Sequence, residues 1–358
     1  MTQRIEGLDV ARALALFGMV VVNFRLVMGA DHGRDWLLSL ALLFEGRASA
    51  LFVVLAGIGI SLMTAHARGH AEFGVVRQQR RGVVRRGLLL FVVGSAYTAI
   101  WPADILHYYG LYFVFAAWVL VWSDRALLWL AAVVILAFSL LLLMFDYEAG
   151  WDWSSLTYQD SWLPLGMIRR LFFNGFHPVL PWLAFLLWGM WLGRRDLTDA
   201  RIRRRLLIGA VIVLAMVEGS FWGLGVWVRD QFAATPSSDL AVLTSIDMMP
   251  PLPQYVLSAS ASATAVLLVC IALALRKPGA MWINALSATG RLSLTLYVAH
   301  VIVGMGSLEA LGLLGGQGVE CSWLAALVFC CAAVVVSVFW LRRFRTGPLE
   351  WCVRKIAG

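Results

Sequence analysis

The sequence predicts an all-α polytopic membrane protein, in which about ten transmembrane helices form a single bundle. Hydrophobic residues make up 61% of the 358 positions and charged residues only 14%, and the mean hydropathy is +0.80. These values lie outside the range of soluble domains. Apolar runs long enough to cross a bilayer recur along the whole chain, and the arginines gather in the gaps between them, as topology signals do.

Each predicted span is an apolar run of roughly 17 to 25 residues. The predicted spans are 7–27, 44–65, 86–101, 105–122, 126–145, 177–193, 205–228, 254–275, 283–305 and 322–341. Segment 162–173 carries two arginines between apolar residues, which predicts an interfacial helix. Because no soluble domain or low-complexity tract interrupts this pattern, we expect residues 1–358 to form one transmembrane domain.

The distribution of charge predicts the orientation of the chain. The gaps after the second, sixth, eighth and tenth spans carry arginine and lysine, and the gaps on the other side are rich in aspartate and glutamate. Positive-inside bias therefore predicts that both termini lie in the cytoplasm. The same distribution explains the net charge of +8 without a nucleic-acid partner, and none is predicted.

The first predicted helix carries a polar stripe. Asp9 and Arg12 are three residues apart, so they share a face and can neutralise each other. Asn23 follows eleven residues after Arg12, about 16 Å further along the same face. Because ionisable groups are costly in a bilayer core, they tend to face a protein interior or an aqueous cavity, and they suggest a functional site.

Histidines are predicted at one level of the membrane, on the non-cytoplasmic side. Neutral imidazole is a common general base near pH 7, although a single interfacial histidine can also cap a helix or bind headgroups. The predicted outer histidines are His32, His107, His177 and His300, whereas His66 and His70 fall in a predicted cytoplasmic gap. No HxxxH or HxxE spacing supports a zinc site, so no metal is predicted.

Other charged residues lie at the ends of predicted spans. Asp104 precedes His107 by three residues and so lies on a neighbouring face. Glu45 and Arg47 lie at the start of the second span, where they form either a local ion pair or a site at which Arg47 recognises an anionic group.

Arg291 lies about 12 Å into the ninth span from its cytoplasmic end. His300 is nine residues further on, so the two side chains point to opposite faces unless the helix bends. We therefore expect them to serve different parts of a site.

Six segments in this order resemble the YeiB-like family of bacterial membrane proteins. That family is related to the catalytic region of heparan-alpha-glucosaminide N-acetyltransferase and, more distantly, to the acyltransferase-3 family. The matching segments are LDVAR, FEGRASALFVVLAG, DILHYYGL, HPVLPWLAFLLWGMWLGR, GRLSLTLYVAH and RRFRTGPLEWCVRK. The acyltransferase-3 family has an Arg and a His eleven apart in helix 1, whereas this chain has Arg12 and Asn23.

The resemblance implies a transmembrane acyltransferase of the bacterial cytoplasmic membrane. Its donor would be cytoplasmic acyl-CoA, with acetyl-CoA favoured by the same resemblance. Its acceptor would be an extracytoplasmic hydroxyl or amine on a glycan or small molecule. The implied base is one of His32, His177 and His300, and the implied acyl-CoA residues are Asp9, Arg12, Arg85, Arg86 and Arg291. The implied acceptor-side residues are Asn23, Glu45, Arg47, Asp104, His107 and Tyr297, of which Tyr297 or Arg47 would stabilise an oxyanion.

A transporter or lipid-handling protein without covalent chemistry is the alternative. Asp9, Arg12 and Arg291 would suit a substrate path equally well. Inverted repeats and interrupted helices would support that alternative, and neither is evident in the sequence. The lipid bilayer is the predicted partner in either case, and homodimer formation is left open.

Overall fold

The computed structural model describes residues 4–69, 73–153, 155, 157–231 and 238–357. His70 lies outside these residues. The helices are α1 Glu6–Val27, α2 Asp35–Leu42, α3 Arg47–Met63, α4 Ala65–Gly69, α5 Phe73–Tyr97, α6 Leu106–Trp118, α7 Asp124–Met144, α8 Pro164–Arg169, α9 Val179–Leu192, α10 Ala200–Gln231, α11 Ser238–Thr244, α12 Pro253–Arg276, α13 Met281–Arg291, α14 Ser293–Ala299, α15 Gly306–Ala310, α16 Val319–Arg343 and α17 Pro348–Ala357.

Two π-helical segments and two short strands complete the secondary structure of the described residues. The segments Arg170–Asn174 and His300–Met305 are π-helical. Strands β1 (Trp151–Asp152) and β2 (Thr157–Tyr158) form an antiparallel pair in the loop that follows α7. The helical class predicted from the sequence is therefore confirmed.

Seven helical segments of the described chain are long and apolar enough to cross a membrane. They are Glu6–Val27, Asp35–Met63, Asp124–Met144, Ala200–Gln231, Pro253–Arg276, Ser293–Ala310 and Val319–Arg343. The pair Pro164–Asn174 and Val179–Leu192, bent by 47°, makes an eighth if it is one span. The protein is thus a multi-pass α-helical membrane protein.

The remaining predicted spans fall on α5 and α6. Helix α5 carries many arginines in its first half, and α6 has 13 residues, so neither meets the same length and composition criteria. The count of ten spans and the orientation of the termini stay predictions. Helix α8, with its π-helical continuation, coincides with the predicted interfacial helix, and its location at the membrane surface also stays a prediction.

The chain divides into two compact units. The first contains the chain up to Leu55 together with Leu197–Arg204 and Ala263–Ile356, and the second contains Ala56–Asp196 and Arg205–Ser262. The first unit is therefore assembled from the two ends of the sequence. The two ends of the sequence pack closely at glycines in α1 and α13. A Cβ at Gly290 would overlap the backbone carbonyl of Asp9, and a Cβ at Gly7 would overlap the backbone of Ile271.

The predicted ninth span, 283–305, is not one helix, and this prediction was wrong. The chain breaks at Leu292 (φ −104°, ψ 18°), between α13 and α14. The Glu350 carboxylate of α17 accepts hydrogen bonds from the backbone N–H groups of Leu294 (2.8 Å) and Thr295 (3.1 Å). First-turn amides lack partners within their own helix, so Glu350 stabilises the start of α14 and with it the break.

In the second unit, α5 and α6 pack closely through glycines. A Cβ at Gly94 would overlap the backbone nitrogen of His107, and one at Gly87 would lie 2.7 Å from the carbonyl oxygen of Gly110. Because any larger residue would push these helices apart, the glycines fix the start of α6 against α5. Asp104 and His107 lie at that start.

Candidate active site

The predicted polar stripe of α1 begins with a buried carboxylate. Asp9 is 1% exposed, and its oxygens lie 2.7 Å from Nη1 of Arg12 and 2.7 Å from Nε of Arg4. The predicted pairing of Asp9 with Arg12 is thus confirmed. Two guanidinium groups on one carboxylate compensate the loss of hydration that burial imposes. A role for these residues in binding acyl-CoA stays a prediction.

The far end of the stripe contacts a buried histidine of the same unit. Nδ2 of Asn23 lies 2.9 Å from Nε2 of His300, although the residues are 277 positions apart. His300 is 0% exposed, and its Nδ1 contacts the backbone carbonyl oxygen of Tyr297. A carbonyl oxygen can only accept, so Nδ1 carries the proton and Nε2 accepts from the Asn23 amide. The imidazole is therefore neutral and held in one tautomer.

Local backbone geometry brings this histidine against α1. His300 begins the π-helical segment, a widened form that often occurs at functional sites. Within that segment a Cβ at Gly304 would lie 2.7 Å from the Phe24 ring, so only glycine permits this approach beside Asn23. The Tyr297 ring is also buried, with its centroid 5.0 Å from that of the His300 ring.

The third candidate base, His32, has a different environment. It lies in the exposed loop after α1, where its carbonyl oxygen accepts a hydrogen bond of 2.8 Å from the Val319 N–H. Its backbone is anchored, but its side chain is exposed to solvent. Nearby in the sequence, the Glu45 carboxylate lies 3.2 Å from Arg25, and Arg47 begins α3.

The second unit contains a separate buried dyad. Asp104 and His107 are 0% and 2% exposed, and Oδ2 of Asp104 lies 3.1 Å from Nδ1 of His107. The same oxygen accepts the His107 backbone N–H at 3.2 Å. The three-residue spacing predicted neighbouring faces, and the turn at the start of α6 brings the side chains into direct contact.

Arg170 is a third member of this buried group, and the sequence did not identify it as a candidate. Its Nη2 lies 3.4 Å from Nε2 of His107. Guanidinium nitrogens only donate, so the Nε2 lone pair of His107 faces a cation. In the sequence Arg170 is one of two adjacent arginines in an apolar segment, and no motif distinguishes it from Arg169.

His177 is buried beside the dyad in aromatic surroundings. Its ring packs edge-on against Tyr108 (centroids 5.9 Å apart) and Trp182 (4.5 Å). The Tyr112 hydroxyl donates to the His177 carbonyl at 2.6 Å. Within the described part of the chain, Nδ1 of His177 is buried without a hydrogen-bond partner. The ring is therefore enclosed, and no side chain of the described residues fixes its tautomer through a hydrogen bond to Nδ1.

The predicted acyl-CoA residues divide between the units. Arg291 belongs to the first unit, and its Nη2 donates to the carbonyl of Arg345 at 2.9 Å. Arg85 and Arg86 lie on α5 in the second unit, where Arg85 is exposed and Nη1 of Arg86 lies 2.7 Å from the Met63 sulfur. Across the described residues, no group of three or more His, Cys, Asp or Glu side chains is arranged to hold a metal ion.

The fold and these sites define a polytopic α-helical membrane protein with buried histidines. Hydrogen bonds fix the tautomers of two of them, His107 and His300. Residues 4–217, more than half of the chain, match the family described as heparan-alpha-glucosaminide N-acetyltransferase, catalytic. The chain belongs to this family of transmembrane acetyltransferases. Residues 189–358 match a second family, described as a protein of unknown function (DUF418). The resemblance inferred from the six sequence segments is confirmed, and no curated protein matches the chain.

Proposed function

We propose that this protein transfers an acyl group, in the simplest case acetyl, from cytoplasmic acyl-CoA to a hydroxyl or amine acceptor across the membrane. His300 is the proposed general base. The observation that carries this choice is the Asn23–His300 contact, in which a fully buried, neutral imidazole has its lone pair at Nε2. His32 is exposed, and nothing in the described residues fixes the tautomer of His177, so both are weaker candidates.

In the proposed reaction, the acceptor replaces the Asn23 amide at Nε2 of His300. Nε2 removes the acceptor proton as the oxygen or nitrogen attacks the carbonyl carbon of the thioester. The carbon–sulfur bond then breaks, and the CoA thiolate takes the proton back from the imidazolium. The displaced Asn23 amide is a suitable donor to the transient oxyanion, since amide N–H groups serve this role in acyl transfer.

Arginines are the proposed binding groups for the phosphates of CoA, through charge-assisted hydrogen bonds. Candidates remain Arg12, Arg85, Arg86 and Arg291, and acetyl-CoA is the donor that family membership favours. The proposed location is the bacterial cytoplasmic membrane.

Thermal unfolding of the detergent-solubilised protein tests the donor. Acetyl-CoA at about 100 times its Kd should stabilise the folded state by about 2.7 kcal/mol, and acetate at the same concentration should not. Methyl glucosaminide is a suitable first acceptor, because it offers an amine and several hydroxyls, and mass spectrometry would detect its acetylated product. Indifference to every CoA ester would overturn the proposal and favour the transporter alternative.

A further inference from the structure

The second unit contains a pocket of about 130 Å³ that none of the predicted roles uses. It lies between the residues that follow α5, the β1–β2 pair and the π-helical segment that begins at Arg170. Its wall combines the aromatic side chains of Trp151, Tyr158, Trp162 and Phe176 with smaller residues, such as Thr98, and with Arg170. A cavity of this size accommodates a small ring with one substituent.

Arg170 is the charged residue in the described lining of this pocket. Its neighbour Arg169 is paired with Asp160 at 3.2 Å. By contrast, within the described chain no carboxylate lies in ion-pair distance of Arg170. On its His107 side, the Asp104 carboxylate contacts Nδ1, the ring nitrogen that does not face Arg170. The guanidinium is therefore held in place but keeps an unneutralised charge toward the pocket.

Most of the other hydrogen-bond donors in the described wall are already engaged by the protein. Burial raises the pKa of Tyr158, so its phenol stays protonated and donates. The engaged donors are the hydroxyls of Thr98 (to Ser95 O), Ser161 (to Tyr158 O) and Tyr158 (to Asn174 Oδ1), and the indole N–H of Trp151 (to Asn174 O). Arg170 is left as the charged group in the described lining that can donate to a ligand, beside the exposed indole of Trp162.

The geometry points to a binding site for a carboxylate that carries a flat ring. One uncompensated guanidinium matches a single negative charge, and its planar fork fits the two oxygens of a carboxylate. The ring of such a ligand would pack against the indole of Trp151, which is itself stacked on Trp153 with centroids 4.7 Å apart. Aromatic pairs of this kind add to the energy of apolar burial.

His107 is a positioning residue for this site. Its Nε2 fixes one end of the Arg170 guanidinium, and Asp104 fixes the tautomer that leaves Nε2 free to accept. A protonated His107 would repel Arg170, so the site needs the neutral ring that Asp104 orients. The pocket lies within one unit, and ligand binding there requires no acyl donor.

Calorimetric titration of the detergent-solubilised protein, without any CoA ester, tests this inference. Benzoate is the probe, and benzamide is its neutral counterpart of nearly the same shape. Benzoate should bind at least about tenfold more tightly than benzamide, because hydrogen bonds between two charged groups are stronger than those to a neutral amide. Acetate, which lacks the ring, should bind more weakly than benzoate. Equal binding of benzoate and benzamide, or no binding of either, would overturn the inference.

Two variants assign the effect to one side chain. Arg170→Gln should remove the preference for benzoate, whereas Arg81→Gln, which removes an exposed charge on α5 outside the pocket lining, should retain it. Because Arg170→Gln can impair folding, Arg170→Lys serves as a second variant that keeps the charge but loses the fork. It should bind benzoate more weakly than the wild type but still prefer it to benzamide. Loss of the preference in Arg81→Gln, or its survival in Arg170→Gln, would refute the assignment.

The failure of this site and the failure of the proposed acyl transfer are distinguishable. Acetyl-CoA binding and product formation report on the proposed function. The benzoate preference reports on the pocket alone, because it is measured as binding in the absence of a donor.

Discussion

The two buried histidine sites share a protonation pattern but differ in what faces the lone pair. In both His300 and His107 the proton is on Nδ1 and the lone pair is on Nε2. The His300 lone pair faces the neutral amide of Asn23, which an incoming acceptor can replace. The His107 lone pair faces the guanidinium of Arg170, which opposes protonation of the ring.

The difference indicates that burial alone does not make a histidine a base. A general base must accept a proton in the transition state, and a cation next to its lone pair disfavours that step. His107, between a carboxylate and a guanidinium, is therefore suited to holding Arg170 in position. His300 is suited to proton transfer.

Replacing His300 by alanine should have the largest effect, because it removes the proposed general base. Loss of a general base should slow release of the CoA thiol from acetyl-CoA, in the presence of an acceptor, by about 10²–10⁴-fold. Binding of acetyl-CoA, followed by thermal unfolding, should be retained. His66→Ala, at an exposed histidine on α4, is the matched control. Full activity in His300→Ala would contradict the assigned role.

Tightening the packing of the first unit should have the next largest effect. A methyl group at Gly290 meets the backbone of α1, which cannot move aside as a flexible side chain would. Gly290→Ala should therefore destabilise the protein by about 3 kcal/mol, the upper end of the usual cost of overpacking, measured as a lower Tm. Gly209→Ala on α10, where a Cβ has open space, should leave the Tm unchanged or raise it. A neutral result for Gly290→Ala would mean that α1 and α13 can separate without loss.

Sequence reasoning identified the helical membrane class, the family and the Asp9–Arg12 pair because these depend on composition, short words and local helical spacing. It placed Asn23 and His300 among the candidate residues, but their contact depends on packing between the two ends of the chain. The break at Leu292 was missed for the same reason, because the cap on α14 comes from Glu350, more than fifty residues away. Arg170 has no sequence pattern that separates it from a topology-determining arginine.

Removing the hydrogen-bond partner of each histidine compares the two sites directly. Asp104→Ala should reduce the free energy of unfolding by about 1.5–3 kcal/mol, because it removes a charged acceptor. Asn23→Ala should cost about 0.5–1.5 kcal/mol, since that hydrogen bond joins two neutral groups. Denaturation midpoints of the two variants in the same detergent would measure the difference. A larger loss from Asn23→Ala would reverse this ranking.

The smallest expected effect is at the cap of α14. Glu350→Gln keeps one acceptor oxygen but loses the charge that interacts with the first-turn amides and with the Thr295 hydroxyl at 2.5 Å. The loss should be about 1 kcal/mol, as for other helix caps, and should appear as a small decrease in Tm. Glu309→Gln, at an exposed position on α15, is the control, and an equal effect there would remove the special role of Glu350.

The ion pair between Asp9 and Arg12 has a consequence for how the chain enters the membrane. Chains generally fold from the N-terminus as they are synthesised, so α1 leaves the ribosome long before α13 and α14, the helices that later enclose it in the first unit. During that interval its carboxylate would be an unpaired charge, were Arg12, one turn away on the same helix, and Arg4, just before it, not already present. A partner supplied locally lets α1 insert early and remain in the membrane until the last third of the protein has been made.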